Sequence, residues 1–357
     1  MEDILKDILA ALSVVLNGLP QGLLALSFGF ASVPTALAFF VGAVGNSLTS
    51  NVAVISFQAE TIAVAGTMGK NMRERLSSIF FGALLLVIIS IFGLMEQIVA
   101  WIGPVITNGM MAGVGFMLAK VAWDMAKNDR IIGITSFASA LLTYIITKDL
   151  VYTITISVIL SSIVYHFTKK EGVTVTKNIL EDKFKLQKFI VNSSVIRGAL
   201  ALVCLNIGAN IAFGKINGEI AGESVNIDTL TIISSLADMA SSLFGGGPVE
   251  VIISATASAP HAVWAGVLTM AIMAAILLFK LLPKIGKYVP SSSIAGFLFV
   301  LGAIVTLPGN ATAALTGTEA GSPIVAAVTI IVTAIADPFF GLLAGVVMEF
   351  LLGIFGV

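Results

Sequence analysis

The chain has 357 residues, of which 57% are apolar and only 11% charged, with a formal net charge of −1. An ordinary soluble domain carries about 25% charged residues, so this composition excludes a soluble enzyme, and it also excludes a disordered chain, which needs low hydrophobicity and high net charge. One cysteine, Cys204, rules out a disulfide scaffold, and the near-neutral balance leaves no basic footprint for nucleic acid.

What remains is an all-α, multi-pass protein of the cell membrane. A spanning helix needs about 20 mostly apolar residues. Apolar runs between polar or Gly/Pro breaks predict about fourteen segments: 4–27, 33–48, 51–68, 76–95, 98–123, 131–147, 149–167, 189–214, 227–245, 248–261, 263–282, 288–308, 322–336 and 338–356. The start, MEDILKDILAAL, carries acids where a signal peptide needs a basic region. The stretch from Lys169 to Lys188 is the longest polar run. It reads as a linker, and it divides the chain into residues 1–168 and 189–357, seven segments each.

The two halves share local patterns in the same order. VLNGLPQ from Val15 lies opposite CLNIGAN from Cys204, and VAVIS from Val52 lies opposite VEVII from Val249. Pro104 with Met111-Ala112-Gly113 likewise corresponds to Pro290 with Ile294-Ala295-Gly296. A duplicated unit with an odd number of spans must sit upside down in its second copy. That is the inverted repeat of secondary transporters.

Segments 3 and 10 break the helical pattern. NVAVISF follows the turn-rich NSLTS, and PVEVIIS follows GGG. Both runs are short and β-branched, and each leads into a helix-compatible stretch. A short strand opening a half-length helix would stop in mid-membrane, where irregular backbone survives only if buried in protein or lining a cavity. Two such strands pairing with each other would satisfy their backbones. The two half-helix N-termini, rich in free N–H groups, would then face a shared ligand.

The stretch SLADMASSLFGGGPVEVIISATASAP, Ser235 to Pro260, resembles the xanthine/uracil permease family of nucleobase–cation symporters, and CLNIGAN is similar to that family's eighth helix. The resemblance implies fourteen segments in two inverted repeats. Segments 1–4 and 8–11 would form a core domain, and segments 5–7 and 12–14 a gate domain through which a homodimer forms. Two positions depart from the family pattern. Leu205, beside Asn206, stands where the family carries an acid, and the acid of the tenth segment, Glu250, lies four residues before the aligned Ser254.

On this reading the substrate is a small planar polar solute such as a nucleobase, moved by alternating access with H⁺ or Na⁺. The expected substrate-binding residues are Gln58, Glu60, Asn206, Asn210, Glu250, Ser254 and Thr256, with Glu60 and Glu250 as ion-coupling candidates. Gln58 and Glu60 would complement the donors and acceptors of a base edge. A carboxylate in a bilayer costs about 2.5–3.5 kcal/mol on insertion scales, so Glu60 is expected to face a cavity. Asn17 and Gln21 read as helix-to-helix glue, Asp238 as a tie to a helix end, and Asp337-Pro338 as a turn. No role is read for Glu349. His166 and His261 have no second ligand at metal spacing, so no metal, no cofactor and no catalytic site are expected. GxxxxGK[ST] and HExxH are absent from the sequence.

Two alternatives stand beside this reading. One is an inorganic or carboxylate anion transporter on the same fold, as in the sulfate permeases, favoured by Leu205 and by two positive helix ends. The other is a scaffold or channel without alternating access. Orientation is divided too. Fourteen lysines and arginines between Lys70 and Lys287 fall after odd-numbered segments, against Lys6, Lys148 and Lys215 on the other side. This places the linker in the cytoplasm and both termini outside, whereas the family resemblance implies termini inside.

Overall fold

The computed structural model describes residues 2–168, 184–317 and 321–355. Most of the expected linker, residues 169–183, lies outside the described residues. The chain order begins α1 (Glu2–Ser27), α2 (Ser32–Thr49), β1 (Val54–Ser56), α3 (Ala59–Thr67), α4 (Met72–Ile91), α5 (Met95–Ile102), α6 (Pro104–Lys127), α7 (Arg130–Thr147) and α8 (Leu150–Thr168). It continues with α9 (Ser193–Ala221), α10 (Ile227–Leu243), β2 (Glu250–Ile252), a 3₁₀ turn (Ala255–Ser258), α11 (Ala262–Leu278) and α12 (Leu281–Gly286). Helices α13 (Ala295–Leu315), α14 (Ser322–Ile335) and α15 (Pro338–Phe355) complete it.

Local chemistry sets these boundaries. The Asn71 side chain accepts the Glu74 amide at 3.0 Å, and Glu74 reaches back to the Lys70 amide at 2.8 Å, which closes the start of α4 at both ends of the turn. Asn192 and Asn226 cap α9 and α10 in the same manner, each accepting an amide three residues on at 2.8 Å. Pro104 and Pro338 open α6 and α15, where a missing N–H costs nothing.

Among the described residues, nine helices are long and apolar enough to cross a membrane, α1, α2, α4, α6, α7, α8, α9, α13 and α15. The chain is a multi-pass integral membrane protein. Large apolar side chains stand exposed along these helices, Ile146 and Phe350 among them, as lipid-facing positions require. The expected 51–68 and 248–261 segments are interrupted as their composition predicts, each opening with a strand. The second departs from expectation beyond its strand. It holds a single 3₁₀ turn, and Ala259 is extended at ψ 151°. Pro260 explains the break, since a residue before proline is pushed out of the helical region.

The helices gather into two compact units. One draws on residues up to Met95, on the start of α9 as far as Ala199, and on Ala209–Pro290. Inside it α2 packs on α10 and α11, α4 on α10, and α1 on α11 and α3. Phe39 meets Phe57 edge-on at 5.2 Å between ring centroids. The other unit draws on the chain from Glu96 through α8, on Leu200–Gly208, and on residues from Ser291 onward. There α14 is gripped between α6 and α15. A Cβ on Gly113 would stand 2.4 Å from Thr333 Cβ, and one on Gly341 only 1.7 Å from Thr333 Oγ1. One turn earlier, Gly109 and Gly345 flank Thr329 in the same way. Helices without a hydrophobic drive between them pack through such small-residue faces.

Candidate functional site

In the first unit β1 and β2 form a two-stranded antiparallel ribbon, with Val54 opposite Ile252, Ile55 opposite Val251 and Ser56 opposite Glu250. A ribbon this short leaves two bare edges, which the hydrocarbon core does not tolerate. Asparagine side chains stand in for the absent neighbouring strands. Asn46 of α2 donates to the Ala53 carbonyl at 2.6 Å, and Asn51 accepts the Ala53 amide at 2.9 Å. On the other side Asn217 of α9 donates to the Ile252 carbonyl at 2.7 Å and accepts the Ser254 amide at 3.0 Å. Asp238 accepts the Val249 amide at 2.7 Å, so this acid ties α10 to the entry of β2 rather than to a helix end.

Antiparallel pairing sends the chain away from the ribbon in opposite senses. Helix α3 leaves one end and the 3₁₀ turn leaves the other. The two starts differ chemically. The 3₁₀ turn is capped from within: the Ser254 hydroxyl accepts the Thr256 amide at 3.2 Å and lies 2.6 Å from the Thr256 hydroxyl. Helix α3 has no side-chain cap. Its N-cap residue, Gln58, uses Oε1 to accept the Thr61 hydroxyl, while its Nε2 is buried without a partner. The Ser56 hydroxyl, two residues earlier, is likewise buried and unpartnered. Glu60 sits in the first turn of α3 and is buried.

Glu250 lies in β2 with 1% of its surface exposed and accepts hydrogen bonds from Asn210 and Ser234. Asn210 Nδ2 also reaches the Thr231 and Ser234 hydroxyls, both at 3.4 Å. The structure thus joins Glu250 to Asn210, and Ser254 to Thr256, and places Gln58 with Glu60 at the head of α3. Asn206 is buried one turn before Asn210, in the stretch of α9 that gathers with the second unit. Neither Lys nor Arg occurs in the stretches Val54–Thr67 or Glu250–Ser258.

Sequence reasoning missed Ser56, Asn46, Asn217, Thr231 and Ser234. Ser56 was legible as the last residue of a β-branched run. His261 also gains a partner that spacing could not show. Its backbone amide and Nδ1 both meet Asp7, 254 positions away, at 3.0 and 2.8 Å.

No protein-family model matches the chain, and no curated protein matches it in sequence. Solved structures match in fold. The structure of SLC26A9 aligns with a TM-score of 0.72 at 15% identity, over 99% of this chain and 66% of that one. The transmembrane domain of BicA, a bicarbonate transporter of a cyanobacterium, aligns with a TM-score of 0.74 at 12% identity, over 97% and 98%. Murine Slc26a9, an anion transporter in its inward-facing state, gives 0.64 at 18% identity, over 99% and 69%. The chain therefore spans about two thirds of the SLC26A9 length. These likenesses overturn the xanthine/uracil permease resemblance and, with it, the nucleobase expectation. The Gly-rich turn and strand over Ser235–Pro260 build a ribbon within a fold that anion transporters also have. They specify backbone geometry and carry no information about a base. Leu205, the missing acid, was the residue that pointed the other way.

Proposed function

We propose that the chain is a secondary transporter of small inorganic or carboxylate anions. The reading rests on one observation. The uncapped start of α3 carries two buried hydrogen-bond donors without partners, Gln58 Nε2 and the Ser56 hydroxyl. An unmade hydrogen bond in a buried place costs about 1–3 kcal/mol. Two unpartnered donors beside a helix N-terminus, which adds partial positive charge, suit an oxyanion or halide. Ser254 and Thr256, across the ribbon, supply further hydroxyls. Glu60, Asn206, Asn210 and Glu250 complete the residues we assign to binding or to ion coupling.

The fold likeness to anion and bicarbonate transporters supports this reading, as does the shared part played by both halves of the chain in each compact unit. We read the chain as fourteen segments in two inverted repeats, 1–168 and 189–357, joined by the linker 169–188. The first compact unit would be the core domain and the second the gate domain, in a homodimer working by alternating access with H⁺ or Na⁺. The structures matched are of transport proteins, in keeping with a non-enzymatic role.

The test is uptake of labelled bicarbonate, chloride and sulfate into proteoliposomes, with adenine and uracil as competitors. We expect at least one anion to enter above empty vesicles and neither base to compete. Entry of no anion, or competition by a base, overturns the reading.

A further inference from the structure

The head of α11 borders a space that the anion reading leaves unused. Asp7 of α1 holds His261 by its backbone amide at 3.0 Å and by Nδ1 at 2.8 Å, which pins the start of α11 against α1. Beside this contact, within the first compact unit, lies a cavity of about 530 Å³. Small-molecule sites occupy about 300–1,000 Å³. The titratable and aromatic groups in its lining are Glu223, His261 and Trp264. Neither Lys nor Arg lines it, and among the described residues neither forms an ion pair with Glu223.

The cavity continues into an apolar groove of about 480 Å³ between α2 and α11, with Ser47 and Val267 lining both spaces. Small side chains, Ala43, Ala271 and Ala275, make room for it, and the exposed Phe40 and Phe279 wall it. From Val267 to Leu278 the groove follows α11, which is about 17 Å at 1.5 Å per residue. One leaflet of the hydrocarbon core is about 15 Å deep, half of the whole, so the groove has the reach of one acyl chain. Trp264, 46% exposed, marks its head end, since tryptophan collects where bilayer meets water. The charged residues Glu2, Asp3 and Lys6 lie within two turns of Asp7 on α1, which places water at the same level.

We infer that cavity and groove together bind one phospholipid with a primary-amine headgroup, of the phosphatidylethanolamine type. The head end selects this occupant. An ammonium group gives Glu223 charge-assisted hydrogen bonds and lies favourably over the indole face of Trp264. An anionic headgroup is recognised by Lys or Arg and would meet the acid of Glu223 in their place. A choline headgroup carries the positive charge but has no N–H to give a carboxylate. The groove then takes an acyl chain down one leaflet. The inference depends only on these two adjoining spaces and stands whichever solute the chain carries.

Thermal unfolding of the delipidated, detergent-purified protein tests the binding, with phosphatidylethanolamine, phosphatidylcholine or phosphatidylglycerol of matched chains added back. Phosphatidylethanolamine should stabilise the wild type most. At a concentration ten times Kd the folded-to-unfolded ratio should rise by about 11-fold. Glu223→Gln should weaken phosphatidylethanolamine by about tenfold and bring it level with phosphatidylcholine. Asp124→Asn, at an exposed acid of the other unit, should leave the preference intact. Ala271→Phe, at an exposed position in the groove, should remove the protection by filling the slot. Equal protection by the three lipids overturns the inference, as does stronger protection by phosphatidylcholine or phosphatidylglycerol. So does phosphatidylethanolamine protection that survives either Glu223→Gln or Ala271→Phe undiminished. A dimer that Ala271→Phe dissociates would put a second copy of the chain in the groove and overturn it too.

Discussion

Replacing Gln58 by glutamate isolates one atom of the candidate site. Gln58 is 4% exposed. Its Oε1 accepts the Thr61 hydroxyl and its Nε2 is unpartnered. Glutamate has nearly the same shape and keeps an oxygen for Thr61, so it changes only the group without a partner, from a donor to an acidic oxygen. A hydrogen bond to a charged ligand contributes about 1.5–3 kcal/mol, and each 1.4 kcal/mol is about tenfold in affinity. Loss of the donor alone should therefore weaken anion binding by about 10- to 100-fold, and the added negative charge should push toward the upper end. Concentration-dependent uptake into proteoliposomes reads this as a raised KM. The Gln58→Ala variant also lacks the donor without adding charge, and should fall lower in that range. An unchanged KM in both variants would refute the assignment of Nε2 to the anion. Loss of folding in Gln58→Glu but not in Gln58→Ala would show that the site rejects charge, and KM of the alanine variant would then decide the matter.

Two further outcomes follow from packing. Gly341→Ala would bring a Cβ to 1.7 Å from Thr333 Oγ1, so it should lower the melting temperature and shift the detergent-purified protein toward aggregate. Overpacking of this kind typically costs about 1–3 kcal/mol. Gly353→Ala, which meets nothing within 4 Å, should leave the size-exclusion profile and melting temperature unchanged. Asn217→Ala removes two hydrogen bonds from the free edge of β2 and leaves the Ser254 amide and Ile252 carbonyl without the side chain that serves them. At about 1–3 kcal/mol for each stranded group, this variant should expose protease sites near residue 254 while the α14–α15 pair of the other unit stays protected; equal protection throughout would count against the surrogate-strand role.

Much of this architecture was readable in the sequence because membrane segments announce themselves by length and apolarity. The expected run 33–48 is α2 almost to the residue, and 131–147 is α7. The strands were readable for a different reason: β-branched runs after turn residues cannot continue a helix comfortably, and their mid-membrane position made pairing a necessity. What escaped was chemistry at a distance. Asn217 lies past the expected end of its segment, at 214, because Lys215 and Glu219 break the apolar run although α9 continues to Ala221. Asp7 and His261 meet across 254 positions, with no local pattern to link them. Asp238 was expected to tie its segment to a helix end, yet it serves the amide of Val249 at the entry of β2. The nucleobase expectation failed because the Gly-rich turn and short strand that carried the resemblance mainly set backbone geometry.

The ribbon also bears on how the chain comes to be made. Strand β1 pairs with a partner that emerges almost two hundred positions later. At about 5–20 residues per second of synthesis, that interval is roughly 10–40 s. Throughout it, the newly inserted β1 must be sheltered inside the bilayer, and the Asn46 and Asn51 contacts to Ala53 are what the nascent chain can offer on its own. The ribbon therefore cannot close until the second half of the chain has been made.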